Sequence, residues 1–271
     1  MFEGRSRGNR SDWRRRRSGW RACARCNAER HEREESGSEN AAARRRVGHE
    51  RDDIIGPVLQ FRHIAIEGPI GAGKTALTER LGTRLDATVV LEETDNPFLA
   101  DFYADRPGAA LQAQLFYLLN RHRQQVALRQ TDLFSQFTVC DYVFDKDKIF
   151  AYLNLDDNEL FIYQRLYELL SNDIPSPDLV IYLQAPTDVL LRRVHSRRAD
   201  AEAVALQPDD AYLKELNEAY HHFFFHYNAT PLLVVETSQF DSEASDETLD
   251  DLIKQIKAMG SGTRYYVPRT K

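Results

Sequence analysis

Only three cysteines occur among the 271 residues, at positions 23, 26 and 140. An odd total argues against a disulfide framework and fits a reducing compartment, so a cytoplasmic protein is expected. Cys23 and Cys26 form a C-x-x-C with His31 nearby, but a structural zinc site takes four ligands and a second pair is missing. Long apolar runs are missing too. No stretch approaches the roughly 18 apolar residues of a membrane span, so no membrane partner is expected. Lysine is absent until Lys74, although fifteen arginines stand in the first 53 residues.

That imbalance divides the chain. Those first residues carry ten acids against the fifteen arginines, about +5, while the remainder carries −11 of the net −6. Arg14 to Arg17 and Arg44 to Arg46 are separated by Ser, Gly and Glu with almost no aliphatic residues. Such a composition cannot repay the entropy of ordering, so residues 1–57 are expected to form a disordered, Arg-rich N-terminal extension. No apolar run follows the arginines as a secretory signal requires, and ten acids are too many for a transit peptide. Clustered arginine could neutralise phosphates, but the intermixed acids weaken that field, and no nucleic-acid partner is expected.

From residue 58 onward the pattern is that of one globular domain, 58–271. Short apolar runs at Phe61–Ile66, Thr88–Leu91, Phe137–Cys140, Leu179–Leu183 and Leu232–Val235 alternate with helical stretches. The helices are predicted at Thr75–Leu85, Ala109–Gln130, Asn158–Ser171, Thr187–Arg198, Tyr212–Tyr227 and Glu247–Met259. Continuous apolar strands between long helices imply an α/β fold: a five-stranded parallel sheet with helices on both faces. Ligands of such sheets bind at the carboxyl ends of the strands.

At the first of those ends, Gly68, Pro69, Ile70, Gly71, Ala72, Gly73, Lys74 and Thr75 match G-x-x-x-x-G-K-[ST] in full. The glycines let main-chain amides turn inward around phosphate oxygens, and the following helix offers its positive end. Lys74 is placed to reach the β- and γ-phosphates of ATP, and the Thr75 hydroxyl to ligate Mg2+. Asp141 follows an apolar strand, where a carboxylate reaches the same metal.

Several motifs in order now resemble a known family. EGPIGAGKT, LEETDNPFLADFY, LQAQLFYLLNR, VCDYVFDKDKIFA and LLRRVHSRR make the run from Phe61 to about Pro268 similar to the deoxynucleoside kinases. The pattern looks like that of the bacterial deoxyguanosine and deoxyadenosine kinases, relatives of animal deoxycytidine kinase. The resemblance implies a P-loop NTPase-type sheet, ATP and magnesium as cofactors, a deoxynucleoside substrate and a homodimer. It implies that Glu92, at the tip of the second strand, accepts the 5′-hydroxyl proton, with the adjacent Glu93 as the alternative. Gln112 corresponds to the glutamine that pairs with the base edge, and Asp147 to an acid that accepts from an exocyclic amine. A carboxylate there suits a purine or cytosine and would repel the carbonyls of thymine. Tyr103 matches a tyrosine at the sugar 3′-hydroxyl, Phe150 a base-stacking ring, and Arg193, Arg197 and Arg198 a lid over the transferring phosphate.

The chain also departs from the pattern. An arginine often follows the metal-binding acid and supports the general base; here the triplet is Asp141-Tyr142-Val143, as in some bacterial deoxyguanosine kinases. The lid reads R-x-x-x-R-R, and the acid that partners the 3′-hydroxyl tyrosine has Asp210 as its nearest candidate. The mixed-charge run Asp145-Lys146-Asp147-Lys148 also fits a solvated surface. A thymidylate-type monophosphate kinase shares the phosphate loop but would need a D-R-[FY] motif that is absent. A non-catalytic relative of the fold would have no use for Lys74, Thr75, Glu92 and Asp141 together.

Overall fold

A computed structural model describes residues 60–131, 137–199, 208–238 and 246–268, with the side chains of 129–131 and 197–199 excepted. The basic extension, its Cys23–Cys26 pair and the expected boundary near residue 57 lie outside the described residues.

Six strands form one parallel sheet: β1 (His63–Glu67), β2 (Thr88–Val90), β3 (Thr138–Cys140), β4 (Leu179–Gln184), β5 (Leu232–Glu236) and β6 (Thr263–Tyr266). Their order across the sheet is β2-β3-β1-β4-β5-β6. The sequence pattern predicts five, and the sixth corrects it. β6 follows a turn with Gly262 at φ 81°, and three of its four residues face solvent, so it lacks an apolar run. It is held by main-chain pairing to β5 and by the buried Tyr266.

Helices connect the strands: α1 (Lys74–Leu85), α2 (Leu99–Tyr103), α3 (Ala109–Thr131), α4 (Lys146–Asn154), α5 (Asp157–Ser171), α6 (Thr187–Ala199), α7 (Asp210–Phe225) and α8 (Asp246–Lys257). Two cores follow from the alternation of side chains along buried strands. Ile64, Ile66, Ile181 and Val235 pack against Leu81 of α1, Leu190 of α6 and Ile256 of α8. On the opposite face Ala65, Val180, Tyr182 and Val234 meet Ile149 of α4 and Leu216 and Phe223 of α7. A third cluster joins Leu118 of α3 to Tyr163 and Tyr167 of α5. Burying each large aliphatic side chain stabilises the fold by about 1.5–3 kcal/mol.

Local chemistry fixes how these elements meet. Gly82 sits inside α1, where glycine costs about 1 kcal/mol relative to alanine. A Cβ there would lie 2.2 Å from Val89 Cγ2, so the missing side chain lets α1 lie directly on β2. α5 opens with a capping box: Asp156 accepts from the N–H groups of Asn158 and Glu159, and Glu159 accepts from Asp156 N–H. The carboxylate of Asp178, ahead of β4, receives the N–H groups of Arg62 and His63 and so aligns β1 with β4.

Candidate active site

Parallel pairing places Val90, Cys140 and Ala65 in one row across β2, β3 and β1. The residues just beyond that row, at the carboxyl ends, converge on one side of the sheet. β1 runs directly into the glycine-rich loop, where Gly71 and Gly73 adopt φ 87° and 94°. Only glycine enters that region without strain. A Cβ on Gly71 would also press on Leu190 O and Val194 Cγ2, each at 3.1 Å, so the loop lies against α6.

Lys74 begins α1. Its half-buried ammonium donates to Gly68 O at 2.7 Å and Pro69 O at 3.3 Å. Burial, and then the nearby Lys146, push its pKa below the ordinary lysine value. The Thr75 hydroxyl donates to Asp141 Oδ2 at 2.9 Å, while Asp141 Oδ1 accepts the N–H of Glu92 at 2.7 Å. Asp141 thereby ties α1 to the tips of β2 and β3. A backbone loop at positive φ, an ammonium and a hydroxyl–carboxylate pair suit a phosphate chain with a hard divalent cation, which prefers oxygen ligands.

A further carboxylate at these tips escapes the sequence patterns. Glu67, the last residue of β1, is fully buried. Its Oε1 accepts from Gly68 N–H at 2.9 Å and Tyr220 O–H at 3.1 Å, and its Oε2 from Val143 N–H at 3.0 Å. It fastens the start of the phosphate loop to the segment after β3.

A cavity extends from the loop toward α3, α4 and α7. Ile70 and Lys74 line one end, and Glu92, Tyr103 and Phe150 line the remainder. Glu92 is the acid inside. Its side chain is 15% exposed, with Oε1 accepting from Arg121 Nε at 2.8 Å and Nη2 at 2.5 Å, and Oε2 from Lys146 Nζ at 2.5 Å. Burial alone would raise its pKa, but Arg121 and Lys146 outweigh burial and lower it to about 2. Glu93 lies outside, in an exposed pair with Arg123.

One expectation about the base end is corrected, and one alternative is removed. Gln112 is exposed, whereas Gln114 is buried and lines the cavity. Residues two apart on a helix point about 200° apart, so only one of the pair can face inward. Gln114 Nε2 donates to the main-chain carbonyl of Asp147 at 3.0 Å. The mixed-charge run is not a solvated surface either. Lys146, Asp147 and Lys148 are all buried, each against an opposite charge: Glu92, Arg121 and Asp145 respectively. Asp147 lies behind Arg121 rather than in the cavity wall. Its Oδ1 pairs with Arg121 Nη1, and its Oδ2 is buried with no hydrogen-bond partner.

Arg121 is the residue the sequence reading misses. It is 5% exposed, lies over the Tyr117 ring at 4.9 Å, and bridges Glu92 to Asp147. Burial works against its charge, but Glu92 holds its pKa above the ordinary arginine value. The available signal was spacing, since Gln114, Tyr117 and Arg121 recur at three and four residues along one helix face. Of the lid arginines, Arg193 donates to Thr237 O at 2.5 Å, beyond β5, and is not in the cavity wall. Arg197 and Arg198 are in the last turn of α6, and their side chains lie outside the described residues. Asp210 pairs with His195 at 2.8 Å on the surface, while Tyr103 lines the cavity.

A parallel sheet whose first strand feeds an anion-binding loop, opening on a cavity with a buried carboxylate, defines a P-loop kinase of small hydroxyl-bearing acceptors. The comparisons with known proteins agree. The family profile described as deoxynucleoside kinase matches residues 64–260. The chain belongs to the deoxynucleoside kinase family and is a phosphotransferase acting on deoxynucleosides. It is 36% identical over 162 residues to the deoxyguanosine kinase of Bacillus subtilis (strain 168), covering 58% of this chain and 75% of that one. It is also 36% identical over 204 residues to a deoxyadenosine kinase of Dictyostelium discoideum, covering 72% and 79%. The solved deoxyadenosine kinase of M. mycoides with dCMP and a flexible dCDP bound has the same fold. That match has a TM-score of 0.60 at 24% identity, over 72% of this chain and 99% of the other.

Proposed function

We propose that residues 58–271 transfer the γ-phosphate of ATP to the 5′-hydroxyl of deoxyguanosine or deoxyadenosine, with deoxycytidine as a lesser acceptor, in nucleotide salvage. The observation that carries this reading is one continuous cavity lined by Ile70 and Lys74 of the phosphate loop and by Glu92. Residues 68–74 would hold the phosphates, and Thr75 and Asp141 the magnesium. When bound, magnesium–ATP supplies the phosphoryl group and neutralises charge building on it.

The chain's own groups do the rest. Lys74 rests on two carbonyls of its own loop and exchanges them for phosphate oxygens. Glu92 orients the acceptor hydroxyl. A carboxylate with a pKa of about 2 is a weak proton sink, so its main work is orientation, with proton acceptance late in the transition state. At the far end, the Gln114 amide and the Arg121 guanidinium meet the base edge. Behind them, Asp147 Oδ2 is unpartnered, and once Arg121 shifts aside it would accept from an exocyclic amine, which adenine, guanine and cytosine carry and thymine lacks. Tyr103 is assigned to the sugar and Phe150 to the base face. Arg197 and Arg198 are assigned to the lid, since α6 packs on the phosphate loop.

A homodimer and a cytoplasmic location complete the proposal. Phe161, Ile162, Leu166 and Leu169 of α5 and Leu119 of α3 are exposed apolar side chains, a face suited to a second copy. Among the described residues no helix is long and apolar enough to cross a membrane.

Transfer of labelled γ-phosphate from ATP to each of the four deoxynucleosides tests the proposal. Deoxyguanosine or deoxyadenosine should be the best acceptor and thymidine the poorest, and Asp147→Ala should narrow that gap by about 10–100-fold. Thymidine as the best acceptor would refute the reading of Asp147.

A further inference from the structure

The departure at Asp141-Tyr142-Val143 removes the arginine that the resemblance places behind the hydroxyl-orienting carboxylate. Tyr142 does not replace it. Its ring is fully buried, and its hydroxyl donates to Gln124 Oε1 at 3.0 Å. A cation nevertheless reaches the carboxylate from elsewhere in the same segment.

We infer that Lys146, the first residue of α4, is the positioning residue that fixes Glu92 Oε2, in place of that arginine. The inference rests on the role proposed for Glu92. Lys146 Nζ lies 2.5 Å from Glu92 Oε2, and the lysine is 3% exposed. Its backbone is anchored as well, because Lys146 N–H donates to Val143 O at 3.1 Å, which ties the start of α4 to the turn leaving β3.

Two comparisons within the site make the contact specific. Lys148, two residues on, reaches Asp145 at 2.7 Å and the Tyr167 ring at 4.3 Å, so the charge run does not simply deliver any lysine to Glu92. Arg121 holds the other oxygen of Glu92, but it is shared with Asp147 at the base end. A base that engages Asp147 pulls on Arg121, and Lys146 keeps the carboxylate aimed while this happens. Lys146 supplies orientation and takes no proton from the acceptor.

The test is a double-mutant cycle on full-length protein, with kcat and both KM values measured for ATP and the best deoxynucleoside, and thermal unfolding followed alongside. Lys146→Met should lower kcat by about 10–100-fold, part of what a well-placed proton acceptor contributes, with the KM for ATP nearly unchanged. Lys146→Arg, which restores a guanidinium, should stay within about tenfold of wild type. In a Glu92→Gln background, Lys146→Met should cost less than about threefold, because a residue acting through Glu92 has nothing left to position. Should Lys146→Met not fold, Lys146→Gln and Lys146→Arg carry the same comparison.

Equal losses in both backgrounds would overturn the inference, as would a raised KM for ATP with kcat preserved, which would make Lys146 a phosphate ligand. Wild-type activity in Glu92→Gln would instead overturn the reading of Glu92 on which the inference stands. Glu92→Gln inactive with Lys146 effects strictly additive would leave that reading intact and remove Lys146 alone.

Discussion

The proposed phosphate end of the cavity and its proposed acceptor end are built in different ways. The phosphate end is eight consecutive residues, 68–75, on one strand–loop–helix turn, and its recognition groups are mostly main chain. The acceptor end draws Glu92 from the tip of β2, Gln114 and Arg121 from α3, and Lys146 and Asp147 from α4. There the recognition groups are side-chain charges, buried and mutually compensating. A backbone site tolerates changes in its surroundings as long as the glycines and the lysine remain. A buried charge network does not, because removing any member strands its partner without solvation.

That contrast can be broken at either end. The largest effect is expected from Lys74→Ala, which should lower kcat by about 10³-fold, while the fold, read by circular dichroism and thermal unfolding, stays close to wild type. Arg121→Met should show the opposite balance. With Asp147 left buried and unpaired, and Glu92 held by Lys146 alone, stability should fall by about 3–5 kcal/mol, visible as a large drop in the unfolding midpoint. A variant of Arg121 that unfolds at the wild-type midpoint would mean that the network carries little energy. Gln114→Ala should raise the KM for the deoxynucleoside by about tenfold through loss of one hydrogen-bonding group, whereas Gln112→Ala should change it by less than about twofold. Smallest of all is the expected effect of removing residues 1–57, which should leave turnover within about twofold, because every proposed site residue lies between positions 68 and 198.

The same contrast explains what could be read from the sequence. The phosphate loop was fully legible because local spacing is its whole specification. The places of Asp141 and Glu92 at strand tips were legible because those tips are predictable once the strands are. The choice of Glu92 over Glu93 leaned on the resemblance alone, since adjacent residues differ only in which way the chain turns after β2. Gln112 was the wrong glutamine because the reading took a motif without resolving the helix face. Arg121 passed unnoticed as one arginine in the polar stretch Asn120-Arg121-His122-Arg123; only its spacing from Gln114 and Tyr117 marks it as the one that turns inward. The run 145–148 also fitted solvent-facing charge because its four partners come from α3, β2, α5 and the run itself. β6 escaped detection for the converse reason, being held by main-chain pairing with few apolar residues to mark it.

The central claim concerns one carboxylate, and a single paired measurement addresses it most directly. In single-turnover transfer from saturating ATP, Glu92→Gln should slow phosphorylation of the preferred deoxynucleoside by about 10²–10⁴-fold, while calorimetric affinity for that deoxynucleoside changes far less. Glu93→Gln, measured beside it, should match wild type. A fast Glu92→Gln, or an equal loss in Glu93→Gln, would contradict the assignment of the acid that faces the acceptor hydroxyl.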